Sequence, residues 1–262
     1  MFLTAAETNV GIKKKTNQDS MLLKTADADG YPVCFAAVCD GMGGLAKGEV
    51  ASGELTKHLS SWFEDELPFI INGVDEIHHM MDEASDSLIR LLKRCDVMIS
   101  EYSERIGADC GTTACITLMY RDHYVVVNVG DSRLYKISEG EIDQITKDHT
   151  WIQEMIDSGK LTHEEAKYHK NRSVLTQCIG AMEGVSPDKT FGTYGNEDVF
   201  IVCCDGFRHA VSPDEFLRLF QTDRMNSEKS ISDRCKLAID INMQRKEKDN
   251  ISVIVIKTTN QE

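Results

Sequence analysis

Four apolar runs of strand length, each beginning or ending at an aspartate, are the feature that most limits how this chain can fold. The runs are 33–40 (VCFAAVCD), 124–131 (YVVVNVGD), 199–205 (VFIVCCD) and 249–257 (DNISVIVIK). They are short and rich in Val and Ile, which predicts β-strands. Each predicted strand therefore carries a carboxylate at one end, at Asp40, Asp131, Asp205 or Asp249.

The order of predicted elements favours antiparallel sheets. Further strands are predicted at 112–120 and 132–138, and a turn at Glu139-Gly140 joins the latter to 141–146, with no helix between them. Helices are predicted over 48–67, over 74–105, from a cap at Ser212, and over 228–245. The sequence thus predicts an α+β fold, a four-layer αββα sandwich of two antiparallel β-sheets flanked by helix pairs.

A polar, histidine-rich segment at about 148–175 interrupts this pattern. It is predicted to hold two short helices separated by Gly159, the second capped by Thr162 and Glu165. We expect a helical flap over the rim of the sheets, where specificity elements tend to lie. Because no Pro/Gly/Ser-rich linker divides the chain, residues 1–262 are expected to form a single domain.

Charge and cysteine content limit the partners and the compartment. The 29 basic and 43 acidic residues give a net charge of −14, which disfavours nucleic acid and anionic membranes. Nine cysteines without a C-x-x-C pair, and no recognisable secretory signal, predict a reducing cytoplasmic location. No apolar run approaches the length of a membrane span.

The glycines that follow Asp40 leave two interpretations open. Gly41-x-Gly43-x-x-Ala46 fits a relaxed dinucleotide fingerprint, but the acidic residue expected about 20 positions later falls within a predicted amphipathic helix. Alternatively, the strand-end aspartates meet at one sheet edge, where their carboxylates need cations to remain ionised together. Oxygen ligands select Mg²⁺ or Mn²⁺ rather than zinc. The repetition of aspartates favours the metal site.

A series of short segments, taken in order, resembles the PP2C-type (PPM family) metal-dependent Ser/Thr protein phosphatases. The segments are GIKKKTNQDS, VCDGMGG, CGTTA, VGDSRLYKI, ITKDHTWIQEMIDSGKLTHEEAKYH, NRSVLTQCIG, CCDGF and KDNISVIV. The resemblance extends over nearly the whole chain, with the segments in the same order. Methionine at position 42 resembles the bacterial branch, since eukaryotic members usually carry histidine there.

The resemblance implies a site for Mn²⁺ or Mg²⁺ built on Asp40, Asp205 and Asp249, which are expected to be the catalytic residues. Asp40 is expected to bridge two ions, with the Gly41 carbonyl on one and Asp205 and Asp249 on the other. The remaining implied residues are Asp131, for a third, weaker ion, and Asp19, which supports the site from behind. A hydroxide between the two ions would then attack the phosphorus of phosphoserine or phosphothreonine.

Three positions depart from the family pattern. Lys14 stands where an arginine usually grips the substrate phosphate, and lysine lacks the bidentate fork. Gln18 replaces a glutamate, which removes a negative charge. Met42 cannot act as a general acid, so the proton for the leaving oxygen has to come from a metal-bound water or from another group, for which histidines of the flap are candidates. These are His149, His163 and His169.

The resemblance therefore implies a protein-serine/threonine phosphatase that acts as a monomer on phosphorylated proteins and opposes a Hanks-type bacterial kinase. Two alternatives stay open. Gln18 and Lys14 motivate a degenerate member that serves as a binding or regulatory module with weak or no turnover. A narrower phosphatase for a sigma-factor antagonist protein would share the chemistry and differ only in its partner.

Overall fold

The computed structural model describes residues 1–42, 47–74, 76–181 and 184–260. Gly43, Gly44 and Ala46 of the glycine motif lie outside the described residues. The strands are β1 (Phe2–Asn9), β2 (Ser20–Ala28), β3 (Tyr31–Cys39), β4 (Gly41–Met42), β5 (Gly111–Thr112), β6 (Ala114–Tyr120), β7 (His123–Val129), β8 (Arg133–Ser138), β9 (Glu141–Gln144), β10 (Asp188–Thr193), β11 (Val199–Cys203) and β12 (Ile251–Thr258). The helices are α1 (Gly48–Asp65), α2 (Leu67–Gly73), α3 (Ile77–Ile106), α4 (Trp151–Asp157), α5 (His163–Lys167), α6 (Asp205–Arg208), α7 (Pro213–Leu219) and α8 (Glu228–Gln244).

Two five-stranded sheets form the centre of the molecule. One has the strand order β1-β12-β11-β8-β9, the other has the order β10-β7-β6-β3-β2, and every neighbouring pair within them is antiparallel. The short strands β4 and β5 pair beside them. Mixed α and β structure with two antiparallel sheets was predicted from the sequence, and it is confirmed.

The side chains of β3 show how the layers are built. Val33, Phe35 and Ala37 belong to the core beneath the helices, whereas Cys34 and Ala36 belong to the core between the two sheets. This alternation follows from the period of two residues in a strand. Because both faces are buried, the run is apolar throughout.

Helices cover the outer face of each sheet. Leu55 and Leu59 of α1 and Leu88 of α3 are fully buried against the β3–β6–β7 face. On the other side, Ile231 and Cys235 of α8 belong to the core that also contains the residues of β11 and β12. The four layers are therefore helix, sheet, sheet and helix, as predicted. No described helix is long and apolar enough to cross a membrane.

Several predicted boundaries were wrong by a few residues. The helix predicted over 48–67 ends at Asp65, because a separate helix begins at Leu67 with Pro68 in its first turn. The helix predicted over 74–105 spans Ile77–Ile106, and its N-terminal amides are capped by the carboxylate of Glu76. The sequence analysis predicted no helix after Asp205, but a one-turn helix begins there.

Besides the two-residue strand β4, the sequence analysis missed three strands, and all three lie at edges of the five-stranded sheets. They are β1, β2 and β10. Each contains partly or fully exposed residues. An edge strand packs on fewer neighbours than a central one, so its sequence lacks the continuous apolar run that identified the inner strands.

The flap has the predicted form. Helices α4 and α5 are separated by Gly159, whose φ of +69° suits glycine, and Thr162 and Glu165 form the predicted capping box. A bridge between Thr150 and Leu175 closes its base.

Candidate metal centre

Five aspartates lie at the ends of strands that meet at one edge of the sheets. The first residue of β2 pairs with the last residue of β3, so Asp19 and Asp40 are neighbours across those strands. The last residue of β11 pairs near the start of β12, which brings Asp205 and Asp249 to the same end. Asp131 follows β7. The charges of the other four aspartates all raise the pKa of Asp40.

The backbone of Asp40 is fixed by the threonines that follow Gly111. The carbonyl of Asp40 accepts hydrogen bonds from the Thr113 amide at 2.9 Å and the Thr112 hydroxyl at 3.1 Å. The Asp40 amide in turn donates to the Thr113 hydroxyl at 3.0 Å. These threonines therefore hold Asp40 in place without contributing a carboxylate.

The residue after Asp40 has to be glycine for steric reasons. A Cβ atom on Gly41 would lie 2.3 Å from the carbonyl oxygen of Gln18 and 2.4 Å from that of Gly48. Both contacts are with backbone atoms, so they cannot be relieved by a rotamer change. The Gly41 amide also donates to the Gln18 carbonyl at 3.1 Å. Gly41 thus ties the start of α1 to the segment that precedes Asp19.

Three side chains of types that bind metal ions come together most closely. Ligand atoms of Asp19, Asp40 and Cys204 all lie within 4.8 Å of one another. Burial raises the pKa of the Cys204 thiol well above its ordinary value, so the sulfur stays protonated and does not serve as a hard-metal ligand. Its sulfur accepts a hydrogen bond from the Ser252 amide at 3.1 Å. The sequence analysis did not single out Cys204.

Burial and mutual repulsion disfavour ionisation of the clustered aspartates. Burial raises the pKa of Asp40 well above its ordinary value, and the charges of Asp19 and Asp205 raise it further. Burial likewise raises the pKa of Asp19 to about 6, although hydrogen bonds from Ser252 and Cys204 oppose the shift. Without cations this arrangement of carboxylates is electrostatically unfavourable.

Two carboxylate oxygens in this group lack a hydrogen-bond partner. Within the described part of the chain, Asp19 Oδ1 and Asp205 Oδ1 are buried and accept no hydrogen bond. A buried, unpartnered carboxylate oxygen is costly, so it normally has a cation or a water as its partner. The oxygen-only donor set and these free oxygens fit Mn²⁺ or Mg²⁺.

Asp249 lies beside the N-terminal loop. Lys14 Nζ lies 2.9 Å from Asp249 Oδ1, with both side chains about 40% exposed. The loop is held by Asn250, whose amide group donates to the carbonyls of Val10 and Thr16 at 2.9 and 3.2 Å. The side-chain oxygen of Asn250 also accepts from the Gln18 amide. Sequence reasoning passed over Asn250, although it directly follows a predicted metal ligand.

Asp131 has an internal cation partner. Arg208 Nη2 donates to the backbone carbonyl of Asp131 at 2.9 Å and to its Oδ2 at 3.1 Å. Burial raises the pKa of Asp131 to about 6 and Asp205 adds to this, while Arg208 opposes the shift. Sequence reasoning also missed Arg208. Its signal was its position three residues after Asp205, on the one-turn helix that Asp205 begins.

His209 and Glu247 stand next to Asp205. His209 Nε2 lies 3.5 Å from Asp205 Oδ2, and its Nδ1 lies 3.6 Å from Glu247 Oε2. Glu247 also accepts hydrogen bonds from the backbone amides of Lys248 and Asp249 at 2.6 and 3.0 Å. The contact with His209 lowers the pKa of Glu247 to about 2, and the hydrogen bonds from the backbone amides contribute. Glu247 therefore connects Asp249 to the residue that faces Asp205.

The three candidate proton donors of the flap are not brought together. His149 is buried, accepts a hydrogen bond from the Gly130 amide at 3.2 Å, and lies 3.1 Å from Asp188. His169 stacks on Trp151 with ring centroids 4.8 Å apart. Only His163 of these lines the cleft beside the aspartates.

Gln18 lies at the site, where its side-chain amide donates a hydrogen bond to Glu49 at 3.2 Å.

A cleft of about 910 Å³ opens beside these aspartates, between the flap, the start of α7 with the segment before it, and the segment that precedes β12. We call it the flap cleft. Its walls include Ile152, His163, Arg172, Val211, Lys246 and Lys248. Asp131, Arg208 and His209 also line it, so it is continuous with the edge that carries the aspartates. A slightly larger depression of about 1000 Å³, beside the β8–β9 hairpin, contains none of the five aspartates.

Comparison with known proteins gives consistent results. The family model for protein phosphatase 2C matches residues 11–238. The serine/threonine protein phosphatase PstP of Mycobacterium tuberculosis is 28% identical over 260 residues, covering 96% of this chain and 44% of that protein. The chain therefore spans less than half the length of this relative.

Solved structures agree with the sequence match. The serine/threonine phosphatase Stp1 from Staphylococcus aureus is 29% identical with a TM-score of 0.83, covering 99% of this chain and 96% of that one. The catalytic domain of the serine threonine protein phosphatase PstP, in complex with 2 manganese ions, is 26% identical. Its TM-score is 0.77, and 99% of both chains is covered.

Proposed function

Because this chain belongs to the protein phosphatase 2C family, we propose that it is a metal-dependent phosphatase that hydrolyses phosphoserine and phosphothreonine in proteins. The observation that carries the proposal is the group of five aspartates with unpartnered buried oxygens at Asp19 and Asp205. The manganese ions in the PstP structure are consistent with it. Nothing in the comparisons favours the binding-module alternative.

Asp40, Asp205 and Asp249 are the proposed metal-binding and catalytic residues, together with the Gly41 carbonyl. Bound Mn²⁺ or Mg²⁺ supplies a water of lowered pKa and offsets charge on the phosphoryl oxygens. The protein positions these carboxylates through the threonine hydrogen bonds to Asp40 and through Glu247, which accepts from the Asp249 amide. Asp19 supports the site from behind, held by the Ser252 hydroxyl at 2.6 Å.

Lys14 is the proposed phosphate-binding residue. Its ammonium group already lies at the aspartate edge, 2.9 Å from Asp249. A phosphoryl group that enters this edge would exchange that contact for one with phosphate oxygens. As a point charge, lysine binds phosphate with less directional preference than arginine, so the orientation of the substrate depends more strongly on the metals.

Asp131 is proposed to bind a third, weaker ion. Because Arg208 already donates to its carbonyl and carboxylate, an ion at this position has to displace or share the guanidinium contact. The free-energy cost of that exchange explains why occupancy here would be lower than at Asp40.

We further propose that residues 1–262 work as a single catalytic domain, that the protein is a monomer, and that its substrates are phosphorylated by a Hanks-type kinase. A cytoplasmic site of action is proposed from the nine cysteines, all of which are buried and free. The negative net charge of −14 gives no basis for nucleic-acid binding.

The test is hydrolysis of a phosphoserine and a phosphothreonine peptide, and of p-nitrophenyl phosphate, while Mn²⁺ or Mg²⁺ is titrated into metal-free protein. Phosphate release should rise with metal concentration and saturate. Asp205→Asn should remove most of it, whereas Asp240→Asn, which changes an exposed residue of α8, should not. If the wild-type protein releases no phosphate at any metal concentration, the binding-module alternative takes the place of this proposal.

A further inference from the structure

The carboxylates that line the flap cleft are already paired with cationic side chains. Asp148 binds Arg133 through two hydrogen bonds of 2.7 Å, and Asp131 pairs with Arg208. Glu247 faces His209. The fourth carboxylate in its lining, Glu215, is held by both terminal nitrogens of Arg245 at 2.6 and 2.8 Å. The negative charge of the cleft walls is therefore largely compensated within the protein.

Three cationic side chains in the same lining have no such partner. Arg172 of the flap, and Lys246 and Lys248 of the loop between α8 and β12, are all exposed. Across the described residues, none of the three makes an ion pair with a carboxylate. In a chain with a net charge of −14, the cleft next to the metal-binding edge thus carries a local excess of positive charge.

The position of these cations determines what they can contact. The cleft reaches from Arg172 on the flap to Asp131 and His209 at the aspartate edge. A peptide whose phosphorylated side chain enters that edge has its neighbouring residues in the cleft, because consecutive Cα atoms are only about 3.8 Å apart. Arg172 can form a bidentate contact with a carboxylate, and the two lysines add positive potential around it.

We propose that the flap cleft selects phosphorylated sites flanked by acidic residues, with Arg172, Lys246 and Lys248 as the specificity-determining residues. This inference rests on the proposed phosphatase function and identifies its substrate class. The other two arginines of the cleft lining, Arg133 and Arg208, are held by Asp148 and Asp131, so these three provide the charge available to a substrate.

The experiment compares three phosphothreonine peptides that differ only in the residues beside the phosphothreonine, which are glutamate, glutamine or lysine. Wild-type protein should hydrolyse the acidic peptide with a kcat/KM about tenfold above that for the glutamine peptide, mostly because KM is lower. Each exposed ion pair between peptide and cleft is expected to change the affinity by a factor of about 1.5 to 5. The lysine peptide should be the poorest. Raising NaCl from about 0.05 M to about 0.5 M should reduce the preference by screening.

The test variant combines Arg172→Gln, Lys246→Gln and Lys248→Gln. Its matched control combines Lys57→Gln, Lys93→Gln and Lys229→Gln, which remove equal charge from exposed positions of α1, α3 and α8 outside the cleft. The test variant should lower the preference for the acidic peptide to about twofold or less, and the control should keep most of it. Equal loss in both variants would mean that overall charge, not the cleft, sets the preference.

Hydrolysis of p-nitrophenyl phosphate separates this proposal from the proposed function, since that substrate has no flanking residues. Metal-dependent turnover of p-nitrophenyl phosphate together with equal hydrolysis of all three peptides would overturn the cleft proposal alone. If nothing is hydrolysed, the phosphatase function fails. Fluorescence anisotropy of the same labelled peptides then still tests the cleft, because tighter binding of the lysine peptide, or no difference between peptides, would overturn it.

Discussion

Replacing Asp19 by asparagine should stabilise the metal-free protein and weaken its stabilisation by metal. Burial raises the pKa of Asp19 from its ordinary value of 3.8 to about 6, and such a rise corresponds to about 3 kcal/mol of unfavourable ionisation at neutral pH. Asparagine has nearly the same shape and carries no charge. An amide group that finds no acceptor would cost about 1 kcal/mol, so the expected net gain is about 2 kcal/mol.

The pH dependence provides a stringent check of that reasoning. A carboxyl group whose pKa is raised on folding does not affect stability below its unfolded pKa, because it is protonated in both states. Its penalty grows as the pH rises from about 4 to about 6 and is complete above that range. Asp19→Asn should therefore match the wild type near about pH 4 and exceed it near about pH 7.

The assay is thermal unfolding in EDTA and in saturating Mn²⁺. For a chain of this size, about 2 kcal/mol corresponds to a Tm increase of about 4–8 °C in EDTA. In Mn²⁺ the difference should shrink or reverse, because the wild-type carboxylate supports the metal site. Asp240→Asn, at an exposed position of α8, is the matched control. A lower Tm for Asp19→Asn in EDTA at neutral pH would refute the electrostatic account.

Three other substitutions test separate parts of the site. Gly41→Ala should reduce the free energy of unfolding by about 2 kcal/mol or more and abolish phosphate release, because the added Cβ would lie 2.3 Å from a backbone oxygen. Chemical denaturation measures this loss of stability. Arg208→Gln should lower the Tm in EDTA, because it leaves the buried Asp131 carboxylate unpaired. It should also increase the number of Mn²⁺ ions bound in calorimetry, and an unchanged number would argue against a third ion at Asp131. Lys14→Arg should lower the KM for phosphopeptides a few-fold, because the guanidinium group can form a bidentate contact with phosphate, and Lys14→Ala should raise the KM. Equal KM values for the three proteins in steady-state assays would exclude Lys14 from phosphate binding.

The inner strands could be predicted from sequence because both of their faces are buried. In β3, alternate residues enter two different hydrophobic cores, which makes the run apolar throughout and easy to recognise. The edge strands β1, β2 and β10 have exposed positions and were missed. The capping boxes at Thr162 and Ser212 were predicted correctly, since they depend only on residues three positions apart.

The aspartates could be identified because each is adjacent to a strand that is itself recognisable. Their partners could not, because those contacts join distant parts of the chain. Arg208 reaches Asp131 across 77 positions, and Asn250 reaches Val10 across 240. Such pairs follow from the stacking of the two sheets, which sequence periodicity does not determine. The same holds for the flap cleft, where Arg172 and Lys248 come together only in the folded protein.

The central claim is that the aspartate edge holds the metal ions that hydrolyse phosphoproteins. The most direct measurement is kcat/KM for a phosphothreonine peptide in saturating Mn²⁺, compared between the wild type and Asp40→Asn, with Mn²⁺ binding to each measured by calorimetry. The account predicts that Asp40→Asn loses at least about 1000-fold in kcat/KM together with tight Mn²⁺ binding. Turnover within about tenfold of the wild type, or Mn²⁺ binding unaffected by the substitution, would contradict it.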